Sequence, residues 1–286
     1  MKLYTLIRTK QEAEKRGTYQ LLQQACDKLS VELSPIELNR IFLTADSSEE
    51  LIEKGQGWFR LIAGPRAALA ESILIRDDLS TIYDEWRIKI QPGLWSDTIL
   101  MQKAGLPIIP TVFAFAGPTD EGLQSAVDSL GGFPVVLKCS GLSHGQGVTL
   151  CNSMEELMRK TQAYEPKDYA KLAMRKFIPG ARHIRAVVIG DKCVDAIEYD
   201  KQPDDFRTNA VAHPTAKPYE APTEITKLAV SAARANGVKF AGIDILLGSD
   251  GAYIAELNNP CNFARNYLTN GKNLALDLVE YLTISH

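Results

Sequence analysis

The stretch 241–260, AGIDILLGSDGAYIAELNNP, alternates apolar and polar side chains on both sides of a central turn sequence, GSDG. Such alternation around a glycine-containing turn predicts a β-hairpin. With the turn centred on Asp250, Asp244 and Glu256 lie equally far from it and face each other across the two strands. Asn258 projects from the same face as Glu256, because side chains repeat every second residue along a strand. The hairpin thus gathers two carboxylates and an amide oxygen at one place.

Facing carboxylates repel each other unless a cation lies between them. A site built only from oxygen atoms suits Mg²⁺ or Mn²⁺, and Mg²⁺ commonly completes its shell with water and phosphate oxygens. The alternative is a hairpin whose acidic face is simply solvated. On the hairpin residues alone, both interpretations stay open.

The composition is typical of a soluble globular protein with room for two or three compact units. The chain has 286 residues, of which 45% are hydrophobic and 23% are charged. Its net charge of −3 does not indicate a broad surface for nucleic acid. Five scattered cysteines without a CxxC pair, and four histidines, argue against structural zinc and favour a reducing, cytoplasmic setting. No stretch predicts a signal peptide or a membrane span.

The N-terminal part predicts a small α/β unit. Candidate strands at 3–7, 31–38 and 58–63, with a helix at 11–29 after the first, favour a parallel sheet covered by helices. No GxGxxG fingerprint for a dinucleotide is present in this unit. The other helices expected from capping residues and apolar periodicity are 96–103, 119–130, one that starts at the capping box of Ser153, 223–236 and 274–282.

The stretch 133–150, FPVVLKCSGLSHGQGVTL, predicts two strands joined by a glycine-rich loop. Glycine and other small residues let backbone N–H groups approach an anion closely. Lys138 ends the first strand, from where it can reach a phosphate as a point charge. The loop is not a Walker A loop, because GKS/T is missing and no helix follows the glycines. Ordinary turn chemistry is the alternative explanation.

The rest of the chain predicts a strand at 172–178, a hairpin at 184–198 and a long connection at 199–222. Connections of this length inside compact domains tend to be functional or disordered. This one contains Arg207 and Asn209 in the sequence DDFRTNA.

Taken in order, these segments resemble the ATP-grasp superfamily and, within it, the RimK-type, alpha-L-glutamate ligase-like enzymes. The order is PVVLK with a glycine-rich loop, KFI, the hairpin IRAVVIGD, DFRTN, and GIDILL followed by AELNNP. Each motif alone is weak, whereas all of them in this order and at similar spacing are specific. The resemblance covers approximately residues 95–285.

The resemblance implies a fold class of α+β and α/β type, namely an ATP-grasp fold of two α+β lobes preceded by a small Rossmann-like α/β domain. We expect the N-terminal domain at 1–92. The first lobe, with the glycine-rich loop, is expected at 93–173, and the second lobe, with the metal site, at 174–286.

The resemblance also implies roles for individual residues. Lys138 matches the lysine that contacts the nucleotide phosphates. The loop over the phosphates would contain Ser140, Gly141, Ser143, His144, Gly145 and Gly147. The interlobe hinge, where backbone groups of Lys176 and Ile178 would contact adenine, would comprise Arg175, Lys176, Phe177 and Ile178. The implied metal ligands are Asp244, Glu256 and Asn258, in agreement with the hairpin geometry. The implied catalytic pair near the γ-phosphate is Arg207 and Asn209, although Arg207 could instead pair with a neighbouring aspartate.

Several positions depart from the family pattern. The lysine usual at the start of the first lobe is missing near Leu94, with Lys89 as a candidate substitute. The acidic residue that binds ribose is replaced by His183, which either stacks on the ribose or lies at the surface. Arg185, also a candidate for nucleotide binding, points either into the cleft or across a salt bridge. After Asn209 the usual arginine and glycine pair is absent, so the acyl-acceptor side does not match the glutamate ligases closely.

The implied activity is ATP-dependent ligation of a carboxylate to an amine through an acylphosphate, with glutamate among the amino acids that could be added. The expected cofactors are ATP and two Mg²⁺ or Mn²⁺ ions. The expected partners are a carboxylate substrate and an amine acceptor, which is an amino acid, a peptide or a carrier. Neither nucleic acid nor a membrane is expected as a partner, and a homo-oligomer stays open.

Two other classes of function stay open on the sequence. One is a small-molecule kinase with the same lobes, and the other is a catalytically silent nucleotide-binding regulator. An amide product formed with ADP and phosphate would favour the ligase. A stable phosphorylated product would favour the kinase, and ATP binding without turnover would favour the regulator.

Overall fold

The computed structural model describes residues 1–44, 47–89, 95–113, 119–141, 147–201, 205–207 and 215–284. In chain order its elements are β1 (Lys2–Ile7), α1 (Lys10–Ala13), α2 (Gly17–Lys28), β2 (Glu32–Glu37), α3 (Ser47–Leu51), β3 (Gly57–Arg60), α4 (Pro65–Leu74), α5 (Glu85–Lys89), α6 (Ser96–Lys103), β4 (Thr111–Phe113), α7 (Asp120–Ser129), β5 (Val135–Cys139), β6 (Val148–Cys151), α8 (Met154–Thr161), β7 (Leu172–Lys176), β8 (Arg182–Ile189), β9 (Lys192–Tyr199), β10 (Ala216–Pro218), α9 (Thr223–Ala235), β11 (Phe240–Gly248), β12 (Gly251–Asn258), α10 (Ala264–Asn270) and α11 (Leu274–Ile284), with short 3₁₀ turns at Leu38–Arg40 and Pro166–Lys171.

The first sheet has the order β2-β1-β3, and both pairings are parallel, as the strand and helix alternation predicts. Pro35 lies in β2, an edge strand, where a residue without an N–H group is tolerated. The helix expected over 11–29 is instead two helices, because Arg16 takes an extended backbone conformation. At Gly17, which opens α2, an added Cβ would lie 3.3 Å from the Cβ of Ala264. Tertiary packing against α10 therefore influences where α2 begins.

The second sheet has the order β4-β7-β5-β6 and is antiparallel throughout. Along β5, Val135 and Leu137 are buried in the core beneath α7 and α8, whereas Val136 and Lys138 alternate with them and lie on the other face. This alternation directs Lys138 away from the core of its own sheet.

The third sheet has the order β10-β9-β8-β11-β12 and is also antiparallel. Ile184 of β8 and Ile243 of β11 belong to a core cluster that includes Ala229 of α9. Because side chains alternate along a strand, Arg185 and Asp244 lie on the face opposite α9. That face borders the second sheet.

Backbone hydrogen bonds and core packing link the three sheets. The segment before β4 pairs with β12, since Ile109 N–H donates to the Ile254 carbonyl at 3.1 Å and Ile254 N–H donates to the Pro107 carbonyl at 2.8 Å. Helix α11 returns to the first sheet, where Leu278 shares a core cluster with Leu3. The domain limits at 92 and 173 stay a prediction, and β7 extends across the second of them.

Candidate active site

The hairpin of β11 and β12 places its carboxylates opposite each other, as the sequence predicts. Asp244 pairs directly with Glu256. The turn is tighter than expected, because Gly248 already pairs with Gly251. The register then shifts at a β-bulge beside Asp244, which leaves Ala255 without a pairing partner in the ladder. The bulge compensates for the tighter turn, so the predicted pairing of the two carboxylates holds.

Donor groups surround the carboxylate of Asp244, which is 3% exposed. Arg185 donates from Nε to Oδ1 at 2.5 Å and from Nη2 to Oδ2 at 2.8 Å. His183 Nε2 lies 3.1 Å from Oδ1, and Asn258 Nδ2 donates to Oδ2 at 3.1 Å. Burial opposes ionisation of Asp244, but the charge of Arg185 and the contact with His183 outweigh it and hold the pKa below its usual value. His183 and Arg185 are thus buried partners of Asp244, and neither is a surface residue.

Lys138 and Glu256 meet across the gap between the second and third sheets. The Nζ atom of Lys138 lies 3.0 Å from Oε2 of Glu256. Burial in the cleft lowers the pKa of Lys138, and the negative charge of Glu256 opposes that effect. The Glu256 side chain stays 49% exposed, so its carboxylate faces open space beside the lysine.

A cavity of about 600 Å³ lies between these two sheets, next to the charged cluster. Apolar residues that line it include Ile109, Val136, Val148, Ile178 and Leu246. Polar and charged residues that line it include Lys138, Arg175, His183, Asp244, Glu256 and Arg207. A volume of this size suits a small organic ligand, and the walls offer both an apolar surface and convergent polar groups.

The expected hinge begins inside a strand. Arg175 and Lys176 belong to β7, whereas Phe177 and Ile178 lie in the connection that follows. Lys176 N–H donates to the carbonyl of Pro110 at 3.0 Å, so this N–H is engaged within the protein. All four hinge residues line the 600 Å³ cavity.

The described ends of the glycine-rich loop are held by backbone hydrogen bonds. Cys139 N–H donates to the Gly147 carbonyl at 2.8 Å, and Ser140 N–H donates to the Lys171 carbonyl at 2.7 Å. Gly141 and Gly147 have φ values of 86° and 73°, in the left-handed region that glycine adopts without strain. The predicted loop residues Ser143, His144 and Gly145 lie outside the described residues.

Arg207 contacts both sides of the cleft. Its guanidinium binds the carboxylate of Asp205, with Nη2 to Oδ2 at 2.7 Å, and its Nη1 donates to the Val148 carbonyl at 3.4 Å. The ion pair with a neighbouring aspartate, one of the alternatives from the sequence, is therefore present. Asn209, its expected catalytic partner, lies outside the described residues, as do Leu94 and the side chain of Lys89.

The side chain of Arg175 was not anticipated, because the sequence indicated only its backbone position in the hinge. It is 6% exposed, donates from Nη1 to the Ala255 carbonyl at 2.7 Å, and lies 5.6 Å from the centre of the Trp95 ring. The signal in the sequence was the position of Arg175, which directly follows the apolar residues LAM within one strand. A cation in such a strand must reach a polar partner or a ligand, because a buried charge without one is costly.

Within the described ranges, no cluster of three or more His, Cys, Asp or Glu side chains could hold a metal ion. The oxygen set of the hairpin is smaller, with two carboxylates and one amide.

No helix within the described residues is both long and apolar enough to cross a bilayer.

Comparison with known proteins points to one family. The family model for the RimK-like ATP-grasp domain matches residues 94–282. A probable alpha-L-glutamate ligase of Picosynechococcus sp. is 31% identical over 187 residues, which cover 64% of this chain and 60% of the relative. The matched region therefore spans about three fifths of the curated relative's length.

Solved structures share the fold at low sequence identity. A RimK domain ATP-grasp protein from Sphaerobacter thermophilus superposes with a TM-score of 0.74 at 16% identity, covering 99% of both chains. The ATP-grasp ligase PsnB, in complex with a minimal precursor, Mg and ADP, has a TM-score of 0.72 at 14% identity and covers 98% of this chain and 96% of PsnB. These likenesses confirm the predicted fold class, which is the ATP-grasp fold.

Proposed function

This chain belongs to the RimK-like ATP-grasp family, and we propose that it is an ATP-dependent carboxylate–amine ligase. The observation that carries the proposal is the meeting of Lys138 and Glu256 at 3.0 Å on the wall of a 600 Å³ cavity between two sheets. A lysine beside an acidic oxygen cluster is the arrangement that a metal-bound triphosphate requires. The names of the relatives, which are ligases, support the same class of reaction.

ATP would lie in the 600 Å³ cavity with its base against Ile178. Because Lys176 N–H is already bonded to Pro110, the carbonyl of Lys176 is the group of that residue that we expect to accept from the adenine amino group. The phosphates would extend toward Lys138, whose charge would offset theirs. The support for this orientation is that Ile178 of the hinge and Lys138 both line the cavity.

The hairpin fits Mg²⁺ in the chemistry of its donor set, since carboxylate and amide oxygens are the ligands this cation prefers. We propose Asp244, Glu256 and Asn258 as the residues that hold it. As assigned, Asn258 offers its amide nitrogen to Asp244 Oδ2. Turning that amide about its bond to Cβ would present the oxygen instead and would also free a lone pair on Asp244. Bound Mg²⁺ would neutralise phosphate charge and orient the terminal phosphoryl group.

The proposed reaction has two steps. The carboxylate of the acid substrate attacks the γ-phosphorus, which breaks the bond to the bridging oxygen and gives an acylphosphate and ADP. The amine then attacks the acyl carbon, phosphate leaves, and the amine loses a proton to give the amide. The protein's part is positioning and charge stabilisation, which dominate phosphoryl transfer.

Lys138 and Arg207 would stabilise the charge that moves during these steps. Lys138 is held in place by Glu256, and Arg207 by Asp205. An acylphosphate is hydrolysed by water, so the cleft between the sheets must exclude water after ATP binds. The glycine-rich loop, whose ends are anchored at Ser140 and Gly147, is the segment we propose to close over the phosphates.

The test is a screen for ADP release with Mg²⁺, in which amino acids, peptides and carboxylate acceptors are combined and products are identified by mass spectrometry. We expect an amide product in amounts equal to ADP and phosphate. Lys138→Ala and Glu256→Gln should each abolish turnover while the circular dichroism spectrum stays unchanged. Lys217→Ala is the matched control, because Lys217 also pairs with a glutamate, 3.4 Å away, but lies in β10 outside the cavity.

Three outcomes would contradict the proposal. A stable phosphorylated product without amide would indicate a kinase. Nucleotide binding without turnover across all combinations would indicate a regulator. Full activity in either cavity variant would remove the site assignment.

A further inference from the structure

A second cavity, of about 360 Å³, adjoins the first one on the far side of Lys138 and Glu256. The residues that line both cavities are Lys138, Arg175, Ala255 and Glu256. The two cavities therefore border the same charged groups, beside which the phosphates of ATP would end. Counting one non-hydrogen atom for each ~30 Å³ volume of a water molecule, the second cavity has room for roughly a dozen such atoms.

The described residues that line the second cavity come from five parts of the chain, two of which are β7 with Arg175 and β12 with Ala255 to Leu257. Pro65 comes from the N-terminal unit, at the start of α4, and Trp95 to Thr98 come from the start of α6. Cys139, Ser140 and Gly141, at the start of the glycine-rich loop, form another wall. A ligand here would contact both the proposed phosphate loop and the N-terminal unit.

Arg175 is the unusual group at the junction of the two cavities. Its Nη1 donates to the Ala255 carbonyl, and its Nη2 donates to Thr98 Oγ1 at 3.3 Å. Its Nε atom is buried and has no hydrogen-bond partner within the described part of the chain. The guanidinium forms no ion pair with any described carboxylate, although burial of such a charge without an anion is unfavourable.

The other charges around this cavity are already paired. Lys138 contacts Glu256, and Asp97 accepts from Arg87 at 3.3 Å. Burial raises the pKa of Asp97 and Arg87 opposes that effect, while burial lowers the pKa of Arg175. The charge of Glu256 also acts on Arg175, but Glu256 is hydrogen-bonded to Lys138, so among the described residues Arg175 is the cation at this cavity without an ion pair of its own.

We propose that the second cavity binds the acid substrate and that Arg175 holds its carboxylate facing the terminal phosphate of ATP. The inference rests on the ligase function proposed above and names its substrate as a small anionic acid. A guanidinium binds a carboxylate through two parallel hydrogen bonds, which sets the orientation of the carboxylate as well as its position. An arginine in this role excludes neutral amides and esters of the same shape, since they cannot offset its buried charge.

The experiment measures binding of acids to the protein saturated with Mg²⁺ and a non-hydrolysable ATP analogue, by isothermal titration calorimetry. The probes are succinate and L-glutamate, with succinamide as the neutral probe. We expect the wild type to bind at least one of the acids and not succinamide. Arg175→Gln should weaken that binding roughly tenfold or more, since a hydrogen bond to a charged group is lost. Affinity for the ATP analogue, whose cavity Arg175 also lines, should fall by a smaller factor than affinity for the acid.

Arg182→Gln is the matched control, because Arg182 forms an ion pair with Glu198 and lines neither cavity. If Arg175→Gln does not fold, Pro65→Glu supplies an independent test. Pro65 is exposed at the start of α4 and lines the second cavity but not the first. A carboxylate added there should therefore repel the acid and lower its binding affinity about threefold, without changing the affinity for the ATP analogue. Pro65→Ala should bind the acid as the wild type does.

The results separate this inference from the ligase proposal. Loss of analogue affinity in Arg175→Gln, equal to the loss for the acid, would overturn the inference and assign Arg175 to the nucleotide. Unchanged acid affinity in Arg175→Gln or Pro65→Glu, or no binding of either acid to the wild type, would also overturn it. Failure of the wild type to bind the ATP analogue would instead remove the proposed function.

Discussion

Replacing Arg185 by methionine tests how the carboxylate of Asp244 is stabilised in the interior. Asp244 and Arg185 are 3% and 8% exposed, and Arg185 donates to both oxygens of the carboxylate. Methionine keeps much of the volume of the arginine stem but removes the charge and both hydrogen bonds. Among the described residues, Asn258 then remains as a donor to Oδ2, and His183 Nε2 lies 3.1 Å from Oδ1. Breaking a buried ion pair in this way leaves an uncompensated charge and costs about 3–5 kcal/mol.

Arg182→Met is the comparison variant, because it removes a similar ion pair that is exposed and so shows how much of the loss of stability is due to burial. Arg182 lies in the same strand, β8, and also binds a carboxylate with two atoms, at 2.8 and 2.7 Å from Glu198. Its side chain is 48% exposed, whereas that of Arg185 is 9% exposed. Exposed ion pairs contribute about 0–1 kcal/mol, because water solvates the separated charges. The two variants should therefore differ by at least about 2 kcal/mol.

The assay is urea unfolding at pH 7 without metal or nucleotide, followed by tryptophan fluorescence. Arg185→Met should lower the free energy of unfolding by about 3–5 kcal/mol, a large part of the ~5–15 kcal/mol typical of a folded protein. Adding Asp244→Asn to Arg185→Met should restore part of the loss, since an amide is less costly to bury than a charge. Equal stability of the two single variants, or no recovery in the double variant, would refute the buried ion pair as the stabilising interaction.

Three further predictions follow from other contacts. Gly242→Ala should destabilise the protein by about 1–3 kcal/mol in urea unfolding, because the added Cβ would lie 2.5 Å from Cys261 Sγ. Adding Cys261→Ala to this variant should restore part of the lost stability. No recovery in the double variant would mean that the clash is not with Cys261. Glu71→Gln should lower the melting temperature by several degrees, since the buried Glu71 carboxylate accepts from Arg60 at 2.7 Å and from Trp58 at 3.1 Å, and a wild-type melting curve would contradict this. Asn258→Leu should raise the Mg²⁺ concentration needed for half-maximal ADP release by tenfold or more, while an unchanged Mg²⁺ dependence would remove Asn258 from the metal site.

The hairpin at the centre of the site was predictable because its chemistry is local. Alternation along the strand decides which side chains share a face, so Asp244 and Glu256 could be paired from the sequence. The pairing survived an error in the turn, because the bulge at Ala255 offsets it. A bulge leaves no clear pattern in one sequence, and its position depends on how the strand packs.

Helices and edges set by tertiary contacts were harder to predict. The four helices α3, α4, α5 and α10 and the short strand β10 were missed. In α4 the buried residues Ala67, Ala70, Glu71 and Leu74 share one face, but the apolar pattern is weak because the charged Glu71 lies on that face and the apolar Leu69 is exposed. Glu71 is buried there through its contacts with Arg60 and Tyr83, which are distant in sequence and therefore invisible to periodicity.

The sequence determines which side chains share a face of a strand, that a hairpin forms at 241–260 and which family motifs are present, because each depends on residues within a few positions of one another. The position of Lys138 beside Glu256 does not, since these residues are 118 positions apart and meet only when two separate sheets pack. The same holds for Arg175, whose side chain reaches Ala255 across the cleft. Local patterns determine which face of a strand a residue occupies, but only the packing of whole sheets decides what that face meets.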